Sequence, residues 1–178
     1  MMPDNEPPPG RLVVSTITSS WDALAEAVEH LERRFGRAIY ETDQISCCHG
    51  ERYLEEMGER VWRRLFSFER PVLRSSLPEL KAACARIEPR FSDRLGDFCF
   101  RTVNIDPGIL TSDNLVMASR HNANHRIYIS GGTYAEVTLI YSRDRFTRLP
   151  WTDPDFCHPE VIDFLDRVRG SFDLVTPT

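Results

Sequence analysis

Residues 11–42 read RLVVSTITSSWDALAEAVEHLERRFGRAIYET, and the fold follows from how this stretch is read. Residues 11–17 are rich in β-branched side chains and carry no breaker, the pattern of a buried strand. Ser19 and Ser20 offer helix caps. Trp21, Leu24, Val28, Leu31 and Phe35 then recur at helical spacing until Gly36 stops the helix. A strand over residues 37–42 completes a β-α-β unit. The same order returns downstream: residues 61–73 predict a strand interrupted at Pro71, and Ser76-Leu77-Pro78-Glu79 matches a capping box. Leu77, Leu80, Cys84, Ile87 and Phe91 repeat the helical stripe, and residues 98–105 predict a further strand. Two such units joined by a loop over 43–58, with a helical turn near 51–57, predict an α+β domain with a ferredoxin-like β-α-β-β-α-β core.

Outward from this core, residues 1–10 hold four prolines and read as a disordered lead-in, 11–170 as a single domain, and 171–178 as a tail. Residues 115–119 suit strand or helix equally. Residues 125–130 and 133–142 predict an antiparallel hairpin about the turn Gly131-Gly132. Arg143-Asp144 turns into a short strand over 145–149. Pro159 opens a terminal helix, with Val161, Ile162, Leu165 and Val168 apolar and Gly170 as its stop.

The composition bounds the function. Of 178 residues 41% are hydrophobic, enough for one core without staples. Twenty-two basic against 27 acidic residues give a net charge of −5, which argues against a nucleic-acid binder that works by neutralising phosphates. No apolar run is long enough to span a bilayer, and the start lacks a basic, apolar signal, so a cytoplasmic protein is expected. Five cysteines, an odd number without a C-x-x-C pair, fit a reducing compartment. Lys81 is the only lysine.

Candidate chemistry concentrates in the hairpin. With a two-residue turn, Ser130 faces Thr133, Ile127 faces Glu136 and His125 faces Thr138. His125, Tyr134, Glu136 and Thr138 then share one face, and Ala135, Val137 and Leu139 form the core-directed one. His125 and Glu136 become diagonal neighbours, a carboxylate–imidazole pairing suited to acid/base work or to a structural cross-strand contact. Asn104-Ile105-Asp106-Pro107-Gly108 reads as a strand end running into a turn, with Asp106 held at the loop. His121 and His125 have i, i+4 spacing but lack an intervening glutamate, and the adjacent Cys47-Cys48-His49 makes poor chelate geometry; no metal is expected. The phosphate-loop pattern G-x-x-x-x-G-K-[ST] is absent, so a P-loop GTPase is not expected and the cofactor stays open. Arg63 and Arg64 point to opposite faces of a strand, and solvated surface is the expectation for most arginines.

Several segments together, in order, are similar to a known family. They are Tyr53 with Glu56-Met57-Gly58, Phe66-Ser67-Phe68, Asn104 to Gly108, His125-Arg126-Ile127-Tyr128, Tyr134-Ala135-Glu136-Val137-Thr138-Leu139, and Leu149-Pro150-Trp151-Thr152-Asp153-Pro154-Asp155. They resemble a bacterial family classified as a domain of unknown function, whose members often carry a GTP-binding label. The resemblance covers roughly residues 10–170 and implies no established activity. It marks Tyr53, Glu56, Asn104, Asp106, His125, Arg126, Tyr134, Glu136 and Trp151 as family features, whereas His121 and the Cys47 run do not match. The leading expectation is a binder of a small or nucleotide-like ligand, its site formed by the 43–58 loop, Asp106 and the His125/Glu136 face. Asn104, Arg126 and Thr138 supply polar contacts, and Tyr53, Tyr134 or Trp151 an aromatic one. A non-catalytic protein-interaction module is second. An enzyme with His125 as base, Glu136 as its orienter and Asp106 as a further carboxylate is third.

Overall fold

Strand β1 (Gly10–Thr18) is buried at every position, as a strand must be that lies mid-sheet with helices on both faces. In the computed structural model, which describes residues 6–47, 55–58, 60–95 and 98–172, it sits at the centre of an α+β architecture. Helix α1 (Trp21–Phe35) follows, capped by the Ser20 hydroxyl, which accepts from the Ala23 N–H at 3.3 Å. Next come β2 (Ala38–Glu41), β3 (Ile45–Ser46), β4 (Trp62–Val72) and α2 (Leu77–Ile87). The hairpin β5 (Ser92–Leu95) and β6 (Phe98–Arg101) leads to β7 (Val103–Leu110) and β8 (Asn114–Ser119). The chain ends in β9 (Ile127–Ser130), β10 (Thr133–Ser142), β11 (Arg145–Arg148) and α3 (Pro159–Gly170). Among the described residues no helix is long and apolar enough to cross a membrane.

Nine strands form one antiparallel sheet in the order β11-β10-β8-β7-β1-β4-β2, with β3 beside β4 and β9 beside β10; β5 and β6 pair separately. Alternation along the strands sends side chains to two cores. On one face Leu24, Leu31 and Phe35 of α1 and Leu80, Cys84 and Ile87 of α2 pack on Leu12, Val14, Phe66, Phe68 and Ile105. On the other, Val161, Phe164, Leu165 and Val168 of α3 cover Val13, Leu65, Leu110, Leu115 and Leu139. Each such side chain contributes about 1.5–3 kcal/mol when fully buried.

Several expectations change. The stretch 115–119 is strand. Ser76 does not cap α2 with its side chain, because residues 74–76 form a 3-10 turn and its hydroxyl donates to the Leu73 carbonyl instead. The predicted strand over 98–105 is two strands, broken at Thr102, and Asp106-Pro107-Gly108 is not a turn but the interior of β7. The hairpin turns at Gly131 and Gly132, both at positive φ, and Ser130 does face Thr133. A bulge between Thr133 and Tyr134 then sets Ile127 opposite Ala135 rather than Glu136. A second bulge between Val137 and Leu139 reverses the faces. Ala135 thus packs toward α1 and α2, while Leu139 joins Glu136 on the α3 side.

Pro107-Gly108 marks the point where the sheet splits. β7 and β8 pair only over Gly108–Leu110 and Leu115–Met117, and beyond Gly108 they diverge. At Gly108 the strands are so close that a Cβ would lie 2.3 Å from Met117 Sδ and 2.9 Å from the Val116 carbonyl. Pro107 brings no N–H to the edge facing β8, so the ladder loses its donor at that step. The next outward-facing residue, Ile105, is served by side chains in place of a strand. Its N–H donates to Glu88 Oε1 at 2.8 Å, and its carbonyl accepts from Lys81 Nζ at 3.1 Å.

Candidate functional site

The opening between β7 and β8 is a cleft of about 320 Å³, and its lining is charged on both lips. From β7 come Asn104 and Asp106; from α2, reaching through the opening, Lys81, with Glu88 just beyond it; and from β6, Arg101. The opposite lip carries Ser119, Arg120 and His121 after β8, then Arg126, Glu136 and Thr138. Arg63 of β4, with Asp153 and Phe156 from the segment before α3, closes one end.

On the β7 lip, Lys81 Nζ donates to Asp106 Oδ1 at 2.6 Å, and Asn104 Nδ2 donates to Asp106 Oδ2 at 2.7 Å. Burial opposes the charge on Asp106, but the Lys81 ammonium and these bonds outweigh it and hold the carboxyl below its ordinary range. The converse applies to Lys81, which burial disfavours and Asp106 and Glu88 keep charged, above its ordinary value. For Glu88 burial wins, and its carboxyl is raised despite Lys81 and the Ile105 N–H. Asn104 Oδ1 accepts from Arg101 Nη1 at 2.6 Å, and Arg101 in turn pairs with Glu56 at 2.6 Å. Glu56 therefore joins the cleft through Arg101.

On the other lip, Glu136 Oε2 accepts from His125 Nε2 at 2.9 Å and from Arg126 Nε at 2.7 Å. His125 is not a strand residue. The turn closed by Arg126 N–H to the Ala123 carbonyl folds it back over Glu136, so the pair forms although the expected register does not. Its Nδ1 meets Asn124 Oδ1 at 3.0 Å, and its ring stacks on Trp151 at 5.2 Å and 9°. Both ring nitrogens thus have partners, Nε2 on Glu136 and Nδ1 on Asn124 at the surface. Trp151 is fixed by its own N–H on the Val137 carbonyl. Arg126 Nη1 donates to Ser119 Oγ and the His121 carbonyl, pinning the two ends of the loop.

Arg63 is buried, against the solvated surface expected for it. Its guanidinium bonds Asp155 at 3.0 Å, Asp153 at 2.8 Å and Ser15 Oγ at 2.8 Å, and lies over the Phe156 ring. Burial disfavours its charge and the two aspartates restore it. Thr152 Oγ1 donates to the Thr138 carbonyl, so residues 149–157 form a strap tied to both β10 and β4. Burial pushes the Cys47 and Cys84 thiols up to about 12, which leaves neither as a nucleophile.

The structure thus brings Asn104, Asp106, Arg126, Glu136 and Thr138 into one cleft, with His125 and Trp151 behind Glu136 and Glu56 behind Arg101. Tyr134 is not in the lining; it stands edge-on to Tyr128 at 5.4 Å. Tyr53, Cys48 and His49 lie outside the described residues. Among the described residues no three His, Cys, Asp or Glu side chains are grouped to hold a metal ion. Sequence reasoning missed Glu88, Arg120 and Asp153, and saw Arg101 only as one of several scattered arginines able to pair with phosphate. Lys81 alone gave a signal, as the single lysine beside an apolar stripe. A search of curated proteins and a search of solved structures return no match. A family model does match, over residues 8–172, and by it the chain belongs to the family described as a domain of unknown function, DUF4416.

Proposed function

We propose that the β7/β8 cleft binds a small, polar, anionic ligand, with nucleotides the first class to test. The observation that carries this reading is the split itself. A central sheet is held open beside charged side chains where the ladder of β8 would otherwise close it, and ligands favour such preformed clefts at the discontinuities of a sheet. A cation without a carboxylate partner supports an anion. Lys81, Arg63, Arg101 and Arg126 each have a carboxylate partner. Arg120 bonds only the Gly131 carbonyl, with no carboxylate partner among the described residues. The strand order β7-β1-β4-β2, with α1 and α2 on one face, supports reading the core as ferredoxin-like. An enzyme with His125 as base finds less support, because neither ring nitrogen is left for a substrate.

Thermal unfolding against GTP, GDP, other nucleotides and inorganic phosphates tests the proposal. A ligand at about 100 times its Kd adds roughly 2.7 kcal/mol, a rise of about 5–10 °C for a chain of this size. Arg126→Ala removes that rise. Ile127→Arg retains it, because β9 is exposed at Ile127, Tyr128 and Ile129 and lies outside the cleft. The opposite pattern would move the site to β9 and favour the interaction-module reading.

A further inference from the structure

We infer that the cleft takes its oxyanion together with a proton, and that Glu88 is the group that receives it. The inference rests on the cleft being the ligand site and adds which side chain changes state there. Glu88 stands where the chain leaves α2 and lines the cleft. One carboxyl oxygen, Oε1, is occupied by the Ile105 N–H at 2.8 Å. The other, Oε2, has no hydrogen-bond partner among the described residues. Asp106, by contrast, has both oxygens filled, one by Lys81 and one by Asn104. Glu136 accepts from His125 and Arg126 on Oε2, with Thr138 at 3.4 Å from Oε1.

The groups that bear on Glu88 are Lys81 and Cys84 of α2, Asp106 of β7 and Arg101 of β6. Lys81 and Arg101 favour the Glu88 charge from a distance. Lys81 is bound to Asp106 and Arg101 to Glu56, however, and Cys84 is a neutral thiol, so no cation among the described residues is paired with Glu88 itself. Its carboxyl already lies above the ordinary range because of burial. A phosphoryl or carboxylate group in the cleft raises it further. The protonated carboxyl then presents its free oxygen as an O–H donor to the anion, which turns a repulsion into a hydrogen bond.

Isothermal titration calorimetry measures this. The full chain is titrated with GTP, with inorganic pyrophosphate and with citrate, each in two buffers of different ionisation enthalpy at matched pH. Binding takes up protons, most strongly between the Glu88 values of the free and the ligand-bound protein, where uptake approaches about one per ligand, and the uptake vanishes below the free-state value. Glu88→Gln keeps the Ile105 contact and a neutral donor, so it binds the same probe with no proton uptake. Binding by wild type without uptake, or the same uptake in Glu88→Gln, overturns the role of Glu88 and leaves the cleft reading standing. No binding by any probe, in wild type and variant alike, overturns both.

Discussion

Lys81 is where a single residue carries most. Its ammonium satisfies the Ile105 carbonyl, neutralises Asp106 and tempers Glu88 while only 5% exposed. Lys81→Met keeps the packing of the stem and removes both hydrogen bonds and the electrostatic support of Glu88 at once. Breaking a buried pair typically costs 3–5 kcal/mol. Asp106 is 32% exposed to the cleft, which solvates part of the loss, so about 2–3 kcal/mol is expected at neutral pH. The pH profile identifies the cause. In wild type the depressed Asp106 contributes stability above the ordinary aspartate value of 3.8, and that stability is lost as the pH falls through its lowered value. Glu88 acts with the opposite sign, costing stability as the pH rises above 4.5 and it ionises. Without Lys81 both carboxylates are uncompensated, and acidification relieves them. The gap between variant and wild type in urea unfolding therefore narrows from pH 7 toward pH 3; parallel profiles would show that the lysine acts by packing alone.

At the scale of elements, the split of the sheet rests on Pro107-Gly108. Gly108→Ala places a methyl against the Val116 backbone carbonyl, which cannot turn aside as the Met117 side chain can. Overpacking of this kind costs about 1–3 kcal/mol, and forcing β8 away loosens the three-residue pairing that anchors the cleft. Faster amide exchange in Ile109 and Val116, which face each other across this pairing, checks this, with the β1–β4 ladder unaffected. The same dipeptide shows where sequence reading stops. Both helical stripes, the positions of β1, β4, β10 and α3, and the Gly131-Gly132 turn follow from periodicity and turn chemistry, which are local. Asp-Pro-Gly is locally a turn signal, and only the neighbouring strand makes it the interior of β7. Bulges are likewise invisible in alternation, so the faces of β10 were legible only as far as Val137. Among site residues, a charged side chain in a strand centre drew attention to Glu136, and Asp106 was singled out for a turn that the structure does not have. Glu88 and Arg101 look like ordinary surface residues until β7 is left without a neighbour.

At the scale of the molecule, the net charge of −5 hides a cleft lined by five arginine and lysine side chains against four carboxylates, because whole-chain charge averages over surfaces that never meet. The cleft is assembled from parts far apart in the chain, and Arg63 ties them. It joins β4 to the strap over 149–157 through Asp153 and Asp155 and to β1 through Ser15, with 7% of its side chain exposed. The strap in turn holds Trp151 over His125 and Thr152 on β10. Arg63→Met fills much of the same space but leaves Asp155, only 3% exposed, without its cation, at a cost of about 3 kcal/mol. Asp153 is 40% exposed and recovers by solvation. The loss therefore falls first on the strap, as a local opening below the free energy of global unfolding. Hydrogen exchange should accelerate most at Leu149, Thr152, Phe156 and His158, whose amides are bonded within the strap. The amides of β1 and β4 should change only by the drop in global stability. The rise in melting temperature with ligand should shrink in parallel, since Asp153 and Phe156 close the cleft. Uniform acceleration across sheet and strap would mean that the strap opens only with the whole molecule, and that the cleft has no closing element of its own.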